Sequence, residues 1–146
     1  MMASSPVGSV GDLGRWQAAL ATYGNTFSCL APGSRIGLVA EAALSDAGRA
    51  GSSMLVWHAT NQGLRVETGS FPGFEQTDVD ILMVADDPAL ACMNDSLATD
   101  VLATVRQLIR DGQILFFARK TRSVLDEAGY EDLLEQLGFA FMGACR

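Results

Sequence analysis

Apolar positions along this chain change period several times, and each change marks an element. Leu97, Val101, Leu102, Val105, Leu108 and Ile109 recur at helical spacing as one stripe, with Asp100, Arg106, Gln107 and Arg110 opposite. The stripe predicts a helix over 94–111, capped by Asn94 or Asp95 and stopped by Gly112. Residues 53–60 carry Met54, Leu55, Val56 and Trp57 as an unbroken apolar run, which suits an interior strand. Leu64, Val66 and Thr68 then alternate with Arg65 and Glu67. With Asn61-Gln62-Gly63 as the turn, 53–60 and 64–68 form a hairpin with one wet face. Short apolar runs predict three further strands near 80–85, 114–118 and 139–142.

Leu13, Trp16, Leu20 and Tyr23 predict a first helix over 12–24, capped by Asp12 and ended by a left-handed Gly24. Pro32-Gly33 marks a turn. Segment 35–49 has two readings: a short strand, Ile36 to Ala40, feeding a helix, or one Ala-rich helix capped by Ser34. The continuous helix is preferred, because Ala40, Ala43, Leu44 and Ala47 share a face. Ser123 caps a last helical segment over 123–137, which Gly129 kinks or splits and Gly138 ends. The fold class expected is α/β, a mixed sheet of about five strands with a hairpin and parallel βαβ units, flanked by helices. It forms one domain over 12–146, behind a flexible tail at 1–11.

A single crossover helix between strands 80–85 and 114–118 makes them parallel neighbours. Their carboxyl ends then lie side by side, and ligands of such sheets bind beyond those ends. One end carries Asp86 and Asp87, weak candidates for a metal; the other carries Arg119, Lys120 and Arg122, candidates for binding an anion. Asp87-Pro88 also reads as a turn opening.

Composition narrows the chemistry. A net charge of −7 argues against a nucleic-acid partner. No apolar stretch reaches the ~18 residues of a membrane helix. Cys29, Cys92 and Cys145 form no C-x-x-C and read as free, mostly buried thiols in a reducing cytoplasm. His58 is the only histidine, hence the only candidate general base, and a multi-histidine metal centre is excluded within one chain. No glycine pattern fits a phosphate loop, and no cofactor is expected. The element order from Asp80 to Met142 is similar in architecture to the second half of a class I methyltransferase-type sheet. It lacks that fold's cofactor glycines, and architecture alone carries no function. Phe71 and Phe74, on an irregular stretch, are candidates for contact with a protein partner or a second copy. The functional expectation is therefore a small acidic cytoplasmic protein acting by macromolecular binding, as a regulator, adaptor or small subunit, without catalysis. The alternative is an enzyme or ligand sensor for a small anionic molecule, bound near 86–87 and 119–122.

Overall fold

The computed structural model describes residues 13–41, 53–71, 73 and 77–138. Five strands form one sheet: β1 (Arg35–Ala40), β2 (Ser53–Thr60), β3 (Gly63–Ser70), β4 (Ile81–Ala85) and β5 (Ile114–Ala118). Their spatial order is β3-β2-β1-β4-β5. The helices of the described residues are α1 (Leu13–Ala21), α2 (Gly24–Phe27), α3 (Asp87–Ser96), α4 (Val101–Arg110), α5 (Arg122–Glu127) and α6 (Glu131–Gln136). The expected α/β class, a mixed sheet flanked by helices, is what forms.

The β2–β3 hairpin pairs in register from Ser53 opposite Ser70 to Thr60 opposite Gly63. Gly63, at φ 113°, takes the left-handed conformation that closes the turn. The Thr60 hydroxyl donates to the Gly63 carbonyl at 2.7 Å and accepts the Gln62 N–H at 3.1 Å.

Segment 35–40 is a strand, against the preference for helix, and it is the middle strand of the sheet. Residues 42–49 lie outside the described residues. Ile36, Leu38 and Ala40 are buried in the core under the helices, while Val39 is buried in a second cluster on the opposite face. Period-2 burial on both faces overrides the helical pattern of the alanines, and Gly37 inside a helix would cost roughly 1 kcal/mol besides.

The larger correction concerns β4 and β5. They are antiparallel, with Ile81 opposite Ala118 and Ala85 opposite Ile114. The parallel neighbours are β1 and β4, with Ile36 opposite Ile81 and Ala40 opposite Ala85. The stretch joining β4 to β5 contains two helices instead of one. Asp86 caps α3, accepting the Ala89 N–H at 2.8 Å, and Pro88 sits in its first turn, a favoured place for proline. Asp100, instead of Asn94 or Asp95, caps α4 and accepts the Ala103 N–H. The two helices form a hairpin that returns the chain to its starting point, and the Asp86 N–H donates to the Gln113 carbonyl at 3.2 Å. A strand that starts where β4 ended must run back along it. The parallel progression behind the methyltransferase-like order is lost with it.

Smaller corrections are local. Gly24 begins α2 instead of ending α1 in a left-handed conformation. Thr121, not Ser123, caps α5 by accepting the Val124 N–H at 3.2 Å. Gly129, at φ 86°, splits the last segment into two short helices, as one of its two readings had it. A Cβ there would lie 1.8 Å from the Cys29 carbonyl oxygen. The expected strand 139–142 and the tail at 1–11 lie outside the described residues.

One sheet face and the helices enclose the main core. Trp57 of β2 meets Trp16 of α1 at 5.8 Å between ring centroids and Phe27 edge-on at 5.9 Å. Gln17 fastens α1 to β3, donating to the Leu64 carbonyl and accepting the Val66 N–H, both at 2.8 Å. Tyr23 bonds Asp100 at 2.5 Å, linking the end of α1 to the start of α4. Tyr130, between α5 and α6, is fully buried and donates to Asp80 Oδ2 at 2.8 Å. The same oxygen accepts the Arg35 N–H at 3.1 Å, so this contact ties the starts of β1 and β4 to the last helices.

Both ties can be tested. Gln17→Ala strands two backbone groups of β3 and should cost about 1–3 kcal/mol in denaturant unfolding. Burial, then the bond to Asp80, raises the Tyr130 hydroxyl well above its ordinary pKa, so it stays neutral in the fold. The unfolded phenol ionises near pH 10. Stability should therefore hold below about pH 10 and fall above it. Tyr130→Phe should lower stability by about 1.5–3 kcal/mol at neutral pH and flatten the alkaline loss. A remainder should persist from Tyr23, which burial also raises.

Candidate functional site

Alternate strand residues point to opposite faces. On the face away from the helices, β1 presents Arg35, Gly37 and Val39, and β2 presents Met54, Val56 and His58. Beside them stand Arg65, Glu67 and Gly69 of β3, Leu82 and Val84 of β4, and Leu115 and Phe117 of β5. This second face has its own apolar layer. Val39, Met54, Val56, Leu82 and Val84 pack with Phe71 and Val79, which the chain between β3 and β4 contributes. Gly37 lies beneath them, and a Cβ on it would meet the Met54 sulfur at 2.8 Å and Leu82 and Val79 at 3.3 Å.

One end of this face is charged. Arg35, His58 and Arg65 stand opposite one another across three strands. The Arg35 guanidinium contacts both Asp78 oxygens, at 3.1 and 2.9 Å, and His58 Nδ1 lies 3.4 Å from Glu67 Oε2. Between the charged end and the apolar layer is a groove of about 370 Å³. Met54 and Val56 form its apolar floor, and Arg35, Glu67, Thr68, Ser70, Thr77 and Asp78 form its walls. The Thr77 hydroxyl, buried with its residue, donates to the Met54 sulfur at 3.7 Å. The groove therefore offers apolar contact and charged recognition within one lining.

Among the described residues, no hydroxyl or thiol is hydrogen-bonded to the His58 ring, whose partner is Glu67. Nucleophilic catalysis needs a base within hydrogen-bond reach of its nucleophile. Cys29 and Cys92 are exposed, against the expectation of mostly buried thiols, and Cys145 lies outside the described residues. The bond to Asp132 raises the Cys29 thiol above its ordinary pKa, which disfavours the reactive thiolate. No group of three or more metal-ligating side chains occurs among the described residues. No helix among them is long and apolar enough to cross a membrane.

The rim expected from Asp86, Asp87, Arg119, Lys120 and Arg122 is not assembled. Because β5 is antiparallel to β4, the acidic and basic groups sit at opposite ends of the strand pair. Six residue steps at about 3.3 Å each separate Asp86 from the level of Arg119 by roughly 20 Å. Asp86 is spent on capping α3, and Asp87 lies in its first turn. The Arg119 N–H bonds the Asp80 carbonyl at 2.8 Å, Lys120 is exposed, and Arg122 opens α5. Phe71 is fully buried, so its ring offers no surface to a partner, and Phe74 lies outside the described residues. The groove residues Arg35, Met54, Thr77 and Asp78 do not stand out in the sequence. The signal that locates them is Gly37 inside an apolar run, which marks a close approach between a strand and its neighbours.

No family model and no curated protein matches the chain. Solved structures that resemble it in outline include these two. One is described as a UbiJ-SCP2 ubiquinone synthesis protein, at a TM-score of 0.41 and 14% identity, covering 85% of this chain and 90% of that one. The other is a conserved hypothetical protein of Thermus thermophilus, described as a possible sterol carrier protein. It matches at a TM-score of 0.48 and 11% identity, over 92% of this chain and 90% of that one.

The packing over Gly37 yields a direct test. Gly37→Ala forces a methyl group against Met54, Leu82 and Val79 and should destabilise the protein by about 1–3 kcal/mol in denaturant unfolding. Gly33→Ala, where a Cβ meets nothing within 4 Å, should show only the strain of its left-handed backbone.

Proposed function

We propose that this chain is a non-catalytic binding protein for a small amphiphile with an anionic head, held in the groove on the second face of the sheet. The observation that carries this reading is the meeting of an apolar floor, Met54 and Val56, with the Arg35 guanidinium in one groove of about 370 Å³. That volume falls within the range of roughly 300–1,000 Å³ common to small-molecule sites. Arg35 is recruited easily. Its partner Asp78 is largely exposed, and exposed ion pairs contribute only about 0–1 kcal/mol. A carboxylate entering the groove can displace Asp78 and take the guanidinium fork with two parallel hydrogen bonds. Arg65 stands at the same end of the face, in register with Arg35 across His58. This reading takes the non-catalytic character of the first expectation and the small anionic ligand of its alternative, in place of a macromolecular partner. That ligand moves from the 86–87 and 119–122 ends to the sheet face away from the helices, beside β2 and β3.

Calorimetric titration with dodecanoate tests it. Arg35→Gln should weaken binding by about tenfold, and Asp78→Asn, which removes the competing carboxylate, should tighten it severalfold. Absence of binding by the native chain, or equal affinity in all three proteins, contradicts the reading.

A further inference from the structure

Met54 and Val56 belong both to the floor of the groove and to the buried layer below it, and Met54 is the flexible one of the two. Met54 lines the groove yet is only 6% exposed, and its inner side packs with Val39, Leu82 and Val84, which are nearly inaccessible. Its sulfur rests in space that only glycine leaves open, 2.8 Å from where a Gly37 Cβ would stand. The hydrogen bond it receives from Thr77 is 3.7 Å long, and a thioether is a weak acceptor. Thr77 is itself 5% exposed, so a buried hydroxyl is held by a poor partner. Methionine is unbranched, with three rotatable bonds, and changes conformation at little cost. Met54 is thus an adaptable side chain under a weak latch, at the boundary of the groove and the apolar layer.

Resting on the binding role above, we propose that Met54 is the gate that sets how long an apolar chain the site admits. When Met54 swings off Gly37, the chain of the ligand passes beneath it toward Val39, Leu82 and Val84. The released Thr77 hydroxyl then donates to the carboxylate at the groove mouth, beside Arg35. Length selectivity resides in Met54, and head-group selectivity in Arg35.

The test compares octanoate, dodecanoate and hexadecanoate, each below its micelle concentration, by calorimetric titration of the full chain. Met54→Ala should raise the preference for hexadecanoate over octanoate by about tenfold, because more methylenes become buried. Met54→Leu keeps the volume but is branched and stiffer, and should lower that preference severalfold. Thermal melting checks that each variant folds, and Met54→Leu carries the test should Met54→Ala not fold. An unchanged length preference in folded variants that still bind overturns the gate alone. Failure of the native chain to bind any of the three overturns both the gate and the binding role.

Discussion

The return of the chain from Asp86 to Gln113 is the constraint on which the rest of this structure depends. Two capped helices, α3 and α4, fold back on each other and deliver β5 to the point where β4 ended, closed by the Asp86 N–H on the Gln113 carbonyl. The direction of β5 follows from that return. So does the distribution of charge, because the acidic start of α3 and the basic stretch after β5 are carried to opposite ends of the sheet. With one helix in place of two, those groups would face each other. With two, the Asp86 carboxylate is committed to capping α3.

The described helices are gathered on one face, and the other carries an apolar layer of its own. Residues between β3 and β4 lay Phe71 and Val79 over Val39, Leu82 and Val84, and Met54 completes the layer above Gly37. At the end of that face next to the hairpin, cross-strand register sets Arg35, His58 and Arg65 in a row. Apolar and charged surface meet there because β1 sets Arg35 beside Met54 and Val56 of β2. The Tyr130 bond to Asp80 holds the start of β1, and so Arg35, in place from below. Among the described residues, the proposed site is therefore built mainly on strand positions, with Thr77 and Asp78 arriving from a connecting segment.

Much of the fold is legible in the residues themselves. The hairpin announces itself by alternation around Asn61-Gln62-Gly63, and β4, β5 and the main part of α4 by their apolar spacing. Two local signals mislead. Alanines at helical spacing outweigh the β-branched residues of Ile36 to Val39, since short apolar runs have no period of their own. The stretch from Asp86 to Pro88 has the composition of a turn, although a carboxylate cap followed by proline also opens helices. That second ambiguity propagates, because one helix or two decides the direction of the next strand, and direction decides which charges meet. The groove is not legible at all. Its walls come from β1, β2, β3 and the 77–78 segment, and their meeting depends on register and strand order.

The direction of β5 can be measured without any ligand. In isotopically labelled protein, nuclear Overhauser contacts between backbone protons of β4 and β5 report the pairing directly. The expected contacts join Ile81 to Ala118 and Ala85 to Ile114, with Met83 opposite Phe116. Contacts joining Ile81 to Ile114 and Ala85 to Ala118 would contradict the antiparallel return, and would restore a shared edge for Asp86 and Arg119.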